Sequence, residues 1–396
     1  MKSQIKTLAQ SILRKCAVRL LTKFHPDVIA VTGSIGKTSA KDAIYEVLAP
    51  VFNTRKNEAN FNNEIGVPLT IIGSKSAKNI FDIFRRTYFS KNFPEKLVLE
   101  MGADRVGDLK YLTSFIKPNI AVVTRVACSH LEYFCDLDGV AKEKGTLVES
   151  LDKNGWAVLN FDDKKVREMK TRTIGNILFY GTDDGADVVA KKIKSTKDGL
   201  SFDLIYKKEK EKINLKVVGR HNVYSALSAV CCGIIYGMTL KEIKKNLENY
   251  RLPKDRTNII NGINGSIIIS DIYNANPESM LAAFEIVNDI KNTDTIKRRR
   301  VFILADMLEL GDQSDKLHLS IGRQLKGNAD FVILVGEKMK KVFDKYKKDL
   351  GPKLTWFENS LIASQEIWSF IQKNDIILVK GSRGMKMERI VESIKL

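Results

Sequence analysis

The sequence predicts an α/β protein of two domains, each built on a mostly parallel sheet. Three observations carry this reading. Short β-rich runs alternate with helical stretches along most of the chain. Polar residues follow those runs at their carboxyl ends, where open α/β sheets bind ligands. Leu252-Pro253 separates two stretches that each repeat the alternation. The 396 residues leave room for two or three domains at roughly 150 residues each.

Residues 1–27 are read as an amphipathic basic helix with its linker. Leu8, Ile12, Leu13, Cys16, Leu20 and Phe24 fall on one helical stripe. Arg14, Lys15 and Arg19 interrupt it, which excludes a secretory signal. Two readings stay open: the helix packs on the next domain, or it lies on an anionic membrane surface. Residues 28–252 form the central domain. Its strands are expected at Val28–Val31, Leu97–Leu99, Ile120–Val123 and Trp156–Leu159. Alternating runs at 201–206 and 213–217 predict an antiparallel hairpin with a solvated charged tip, Lys207 to Lys212. A helix should start near Gly219 to Asn222. Residues 253–396 form a second α/β unit, with strands at 267–269, 301–304, 332–335 and 376–379.

Composition narrows the function. Apolar residues make up 44% and charged residues 28%, as in ordinary globular proteins. No apolar run reaches the length of a membrane span. Lys and Arg number 65 against 47 Asp and Glu, a formal charge of +18. That excess suits nucleic acid, anionic substrates or lipid, or plain surface lysine. Its even spread, often beside Ile and Asn, favours the last. Five cysteines (Cys16, Cys128, Cys135, Cys231, Cys232) form no CxxC pair, which reads as reduced thiols in a cytoplasmic chain. Cys128 and Cys135 flank His130, yet no fourth ligand stands at zinc spacing.

The strongest local signal is Gly33-Ser34-Ile35-Gly36-Lys37-Thr38-Ser39 after the first strand. Glycines let backbone N–H groups turn toward a phosphate, and the next helix offers its positive end. Lys37 can neutralise phosphate charge and Thr38 can ligate Mg²⁺. Val31 stands where the usual GxxxxGK[ST] pattern has its first glycine. This makes the central domain P-loop-type. Mg²⁺ wants further oxygens, and Glu100 at a strand end is a candidate.

The ordered motifs then carry a resemblance. They are VTGSIGKTS at 31–39, NFNNEIGVPLT at 60–70, LEMGADRVGDLKYL at 99–112, GRHNVYSALSA at 219–229, SDIYNANPESM at 270–280, ADMLELG at 305–311 and LVKGSRGMKMERIV at 378–391. The chain resembles the Mur ligases, ATP-dependent enzymes that join an amino acid or dipeptide to a carboxylate in cell-wall assembly. The MurF type, which adds D-alanyl-D-alanine to a UDP-N-acetylmuramoyl tripeptide, is the branch it is most similar to. The resemblance implies a C-terminal Rossmann-like domain. It implies a triphosphate cradle at the glycine loop, with Mg²⁺ at Thr38, Glu100 and His130. Lys144 matches a lysine carried as a carbamate, an oxygen ligand for a second Mg²⁺. Asn222 matches an adenine contact, and Arg256 and Asp271 match residues reaching ATP from the C-terminal domain. Asn60, Asn63 and Glu64 match a polar loop beside metal and substrate. Asn274 and Asn276 match a further substrate loop, and Asn276-Pro277 also reads as a helix cap. Lys380, Ser382 and Arg383 match the pocket for the incoming amino component, whose carboxylate a cationic pair could hold.

The implied chemistry is two-step, through an acyl phosphate, with Lys37, Lys144 and His130 as its catalytic residues. The implied partners are ATP, a nucleotide-sugar peptide and a dipeptide, with no nucleic acid and a monomeric chain. The site would be cytoplasmic, with membrane contact at the inner face left to residues 1–24. Muramoyl ligases usually carry an N-terminal domain gripping UDP, and Met1 to Asp27 is too short for one. A different acceptor, lipid-linked or non-muramoyl, is therefore the alternative. Asp255 and Ala305 also stand where the family commonly has glycine. A non-catalytic nucleotide binder or nucleic-acid ATPase is disfavoured. The metal, carbamate and adenine positions are all filled, and stacking-aromatic clusters are not evident.

Overall fold

β-Branched and aliphatic runs too short for helices become strands here, and the amphipathic stretches between them return the chain in parallel. A computed structural model describes residues 2–58, 60–127, 134, 136–253 and 256–396. The first sheet has nine strands: β1 (Asp27–Thr32), β2 (Thr54–Lys56), β3 (Lys96–Glu100), β4 (Ile120–Val123), β5 (Trp156–Asn160), β6 (Asn176–Gly181), β7 (Val188–Thr196), β8 (Gly199–Tyr206) and β9 (Glu209–Leu215). Their spatial order is β2-β3-β1-β4-β5-β6-β7-β8-β9. Pairings from β2 through β7 are parallel, whereas β7-β8 and β8-β9 are antiparallel.

The hairpin is present, but its turn is tighter than the charge run suggested. Only Lys207 and Lys208 lie between β8 and β9, with Lys207 at φ 53°. Residues 209–212 continue as strand, because β9 is an edge whose outward positions tolerate charge.

The second sheet has six strands: β10 (Asn258–Asn261), β11 (Ile267–Asp271), β12 (Arg300–Ala305), β13 (Phe331–Val335), β14 (Leu354–Phe357) and β15 (Ile376–Lys380). Their order is β10-β11-β15-β12-β13-β14, with β10-β11 antiparallel and the rest parallel. Strands β2, β6, β7, β10 and β14 escaped the sequence reading; β2, β10 and β14 are short edge strands, whereas β6 and β7 lie inside the first sheet.

Each sheet is covered on both faces. Alternation along β1 sends Ile29 and Val31 toward the helices Lys37–Leu48 and Asn222–Ile235. It sends Val28 and Ala30 to the opposite core. The N-terminal helix, Lys2–Phe24, docks on that second face through buried Leu13, Ala17 and Leu20. Phe24 stacks on Phe93 at 4.9 Å, and Gln10 donates to Glu64 at 3.0 Å. Of the two readings left open for this helix, packing on the neighbouring domain is the one observed. No helix among the described residues is long and apolar enough to cross a membrane.

The two sheets meet through specific ties. Val218 enters the core of the second sheet beside Ile286. Arg220 binds Asp289 at 2.9 Å, and Arg125 reaches Glu278 at 3.2 Å. Truncating Leu20 to Ala should cost about 2–5 kcal/mol in urea denaturation, as for a core leucine. A change near zero would show that the N-terminal helix does not contribute to the folded core.

Candidate active site

A cleft of about 470 Å³ lies between the carboxyl ends of the two sheets. Its floor is the loop that joins β1 to the helix Lys37–Leu48. Gly33 has φ 145°, and a Cβ there would sit 2.0 Å from Thr124 Oγ1. Only glycine lets the loop pass that close to the end of β4. Thr124 Oγ1 donates to the Ile35 carbonyl at 2.6 Å, and Ser34 N donates to the Arg125 carbonyl at 2.6 Å. The loop is therefore stitched to the neighbouring strand. Gly36, at φ 85°, caps the helix without a side-chain acceptor, which leaves the helix's positive end facing the cleft. Lys37 folds back so that its Nζ donates to the Gly33 carbonyl at 2.8 Å. Desolvation lowers its pKa, and the nearby Glu100 carboxylate opposes that shift.

Thr38 and Glu100 both line the cleft and are both nearly buried. Glu100 ends β3, paired in register with Val31 of β1. Its carboxylate accepts from Asn62 Nδ2 at 3.1 Å, and its backbone is clamped in both directions by the Asn57 amide. A hydroxyl and a carboxylate beside a phosphate-type loop are hard oxygen donors, the set that suits Mg²⁺.

Behind the Gly102–Asp104 segment lies Lys144, 1% exposed, donating to the Ala103 carbonyl at 3.2 Å. Burial, and then the charge of Lys37, bring its pKa down to about 7. The adjacent Glu143 accepts from the N–H groups of Gly107 and Leu109, each at 2.9 Å, and so fixes the start of the helix Asp108–Thr113.

The opposite wall comes from the second sheet. Asp271 and Lys380 are register partners at the ends of β11 and β15 and form an ion pair. Lys380 is buried and also donates to the Asn274 carbonyl at 3.0 Å. Its ammonium is thus engaged within the wall, and Arg383 is the exposed cation of the expected pair. Ser382 Oγ accepts from Leu308 N at 2.9 Å. Arg256 crosses the cleft, with Nη2 3.5 Å from Thr38 Oγ1 and its guanidinium 4.4 Å from the Tyr273 ring centroid. Tyr273 in turn hydrogen-bonds Asn60 of the first domain. Asn222 is buried at the cleft. Its Nδ2 donates to the Val218 carbonyl at 2.7 Å, so its Oδ1 is the atom left to accept.

Some expected residues point elsewhere. Asn63 accepts from the N–H groups of Ile65 and Gly66 and starts the helix Gly66–Ile72. Glu64 meets Gln10 of the N-terminal helix. Asn63 and Glu64 are not among the residues lining the cleft, where Asn60 and Asn62 stand instead. Asn276 lines the cleft, but its side-chain Oδ1 accepts from Ser279 N at 2.8 Å and so caps the helix Pro277–Thr293. Asn274 lines it too, with Oδ1 accepting from Ala275 N at 2.8 Å. His130 lies outside the described residues, as do Cys128, Cys135 and Asp255. Sequence reasoning missed Asn62, Asp104, Arg125, Tyr273 and Glu278, all at the cleft. Asn62 and Tyr273 sat inside motifs already singled out, beside the residues chosen from them.

The Mur ligase middle domain matches residues 31–233, and the Mur ligase glutamate ligase domain matches residues 255–383. The chain belongs to the Mur ligase family. Within that family it is 30% identical over 388 residues to the UDP-N-acetylmuramoyl-tripeptide–D-alanyl-D-alanine ligase of Haemophilus influenzae, covering 97% of this chain and 80% of that one. The Escherichia coli enzyme of the same name is 31% identical over 379 residues, covering 93% and 76%. MurF from Acinetobacter baumannii superposes with a TM-score of 0.83 at 26% identity, over 97% of this chain and 80% of that chain. MurF from Thermotoga maritima in complex with ADP shares the fold, with a TM-score of 0.82 at 24% identity over 97% and 83%. This Mur ligase is accordingly an ATP-dependent amide ligase.

In this Mur ligase a buried histidine supports the cleft wall. His318 Nε2 accepts from Met307 N at 2.9 Å while Nδ1 donates to the Ser314 carbonyl at 2.7 Å, which requires the neutral ring. Burial lowers its pKa below the ordinary 6.5. The folded state then binds fewer protons than the unfolded one. Its stabilising contribution is complete above pH 6.5 and is lost as pH falls below that value. His318→Phe should cost about 1–3 kcal/mol near neutrality by orphaning Met307 N–H. The gap to wild type should narrow as urea titrations move below pH 6.5. A gap independent of pH would refute the neutral-ring assignment.

Proposed function

We propose that the chain joins D-alanyl-D-alanine to the tripeptide carboxylate of a UDP-N-acetylmuramoyl acceptor, at the expense of ATP. One observation carries the reading. The loop with Lys37 and Thr38, the Glu100 carboxylate and the C-terminal wall of Asp271 and Arg256 face one cleft. Relatives at about 30% identity that bear this activity in their names support the choice of substrates.

The triphosphate would lie on Gly33 to Ser39, at the free N–H end of the helix. Lys37, already over the loop, offsets the charge of the transferring phosphoryl group. Asn222 presents its free Oδ1 to an amino group, which fits the exocyclic amine of adenine. Asp271, oriented by Lys380, is suited to accept from ribose hydroxyls. Thr38, Glu100 and, by resemblance, His130 would hold Mg²⁺, which draws charge from the phosphate oxygens when bound. A carbamate on Lys144 would replace a buried cation by an oxygen ligand for a second ion.

The acceptor carboxylate attacks the γ-phosphorus, the bond to ADP breaks, and an acyl phosphate forms. The dipeptide amine then attacks the acyl carbon, phosphate leaves, and the amine loses its proton. Arg383, exposed on the cleft rim and 5.6 Å from the Tyr273 ring, is placed to meet the dipeptide carboxylate. Asn60, Asn274 and Asn276 border the same space. Residues 28–252 and 253–396 act as two domains hinged at Leu252-Pro253, which close to exclude water and align the reactants. The enzyme works as a cytoplasmic monomer on small molecules.

The test is phosphate release from ATP with defined acceptor and amine pairs. UDP-N-acetylmuramoyl tripeptide with D-alanyl-D-alanine should turn over. Turnover with a lipid-linked or non-muramoyl acceptor alone would replace this substrate assignment and keep the ligase chemistry. Lys37→Ala should lower the rate by roughly 100-fold or more with every pair, and survival of activity would remove the loop from catalysis. Wild-type activity should fall when bicarbonate and CO₂ are stripped and return on their addition. Lys144→Ala should be inactive in both conditions; an active variant would exclude the carbamate.

A further inference from the structure

The described surface carries an apolar and aromatic patch none of whose residues line the ligase cleft. It centres on the helix Ile80–Phe89, which buries Ile83 and Thr87 and turns most of its large side chains outward. Ile80 is 75% exposed, Phe81 78% and Phe89 69%, with Phe84 and Tyr88 about half exposed. Five large apolar side chains at the surface of one ten-residue helix are far from the scattered single residues of an ordinary surface.

The neighbouring N-terminal helix extends the patch. Leu8 and Ile12 are exposed there, followed at helical spacing by exposed Lys15 and Arg19. The two helices are joined at the surface: the Arg19 guanidinium lies 4.6 Å from the Tyr88 ring centroid, and Tyr88 is 4.7 Å from Phe84. Lys23 Nζ donates to the Ser90 carbonyl at 3.1 Å.

The charge carried by these two segments is one-sided. Residues 1–26 and 73–93 together contain eleven Lys and Arg and a single carboxylate, Asp82. Asp82 is taken up by Arg85 at 3.1 Å and Arg86 at 2.8 Å. Lys78 and Lys91 stand exposed just before and just after the helix. Apolar rings rimmed by cations match the head-group boundary of an anionic bilayer. There the rings enter the acyl edge, and each cation near lipid phosphates adds attraction.

We propose that this face seats the protein on an anionic lipid bilayer, with Phe81 and Phe89 entering the head-group boundary and Lys15, Arg19, Lys78 and Lys91 against the phosphates. The inference does not rest on the identity of the ligase substrates. It also differs from a lone amphipathic helix lying on the membrane, because Leu13, Ala17 and Leu20 stay packed in the protein. The membrane face is the pair of helices, and its aromatic half comes from a segment that no sequence motif marks.

The full chain is sedimented with vesicles of phosphatidylcholine, with and without phosphatidylglycerol. The wild type should pellet with the anionic vesicles, remain largely in the supernatant with neutral ones, and be released by high salt. Phe81→Ser/Phe89→Ser should lose binding by about tenfold or more, with an unchanged far-UV circular dichroism spectrum and thermal midpoint. Lys15→Glu/Lys78→Glu/Lys91→Glu, which alters charge without touching the rings, should lose it by a similar factor. Failure of the wild type to pellet with anionic vesicles would overturn the proposal. So would a wild-type dimer that Phe81→Ser/Phe89→Ser converts to monomer without any vesicle binding, because the patch would then be an interface between copies. Equal binding by both variants and the wild type would also overturn it.

Discussion

The cleft depends on the register of parallel strands β1, β3 and β4. Hydrogen bonding sets Val31 beside Glu100 and Thr32 beside Val123. That brings the glycine loop, the Glu100 carboxylate and the Thr124 hydroxyl to one edge. A slip of one residue would turn each of these side chains to the other face of the sheet. It would also break the close approach of Gly33 to Thr124, where a Cβ would meet Oγ1 at 2.0 Å. The second sheet repeats the device: parallel pairing of β11 with β15 sets Asp271 beside Lys380. Two carboxyl-terminal edges then face each other, and the ligand space is what lies between them.

Burial of charge shapes that space. Lys37, Lys144 and Lys380 are all lysines at or behind the cleft, and each is satisfied differently. Lys37 bonds its own loop, Lys380 has a carboxylate, and Lys144 has a carbonyl and a depressed pKa. A buried ammonium costs free energy unless it is paired, bonded or neutralised. The same arithmetic explains the outer surface. The net charge is +18, and the N-terminal helix and the helix Ile80–Phe89 gather cations with almost no compensating carboxylate.

Much of the fold was legible because its cues are local. The runs that became β1, β3, β4, β5, β11, β12, β13 and β15 are short, apolar and followed by polar residues. The glycine loop and the Asn276-Pro277 cap are read from adjacent residues whose conformational needs are specific. Edge strands β2, β10 and β14 were not legible, since their stability comes from a neighbour rather than from their own pattern, and β6 and β7 were not read as strands either. The site was legible in part. Lys37, Thr38, Glu100, Asn222, Arg256 and Asp271 meet at the cleft. Asn63 and Glu64 do not, because a helix start and the N-terminal helix claim their side chains. Nothing in NFNN tells which asparagine faces the cleft; backbone direction decides that, and it chose Asn60 and Asn62.

The sequence by itself determined the α/β class, the ordered motifs of a Mur ligase and the kind of chemistry the loop supports, because these follow from spacing and residue type. Tertiary structure decided which side chains share the cleft, that Lys380 is committed to Asp271, and that the N-terminal helix is seated on the protein. It also created the aromatic and basic surface, by laying two helices together that lie about 70 residues apart in the chain. The physical reason is the range of the interactions. Turns, caps and periodic burial act between neighbours in sequence, whereas ion pairs, ring contacts and packed faces are made between segments that meet only once the chain has folded.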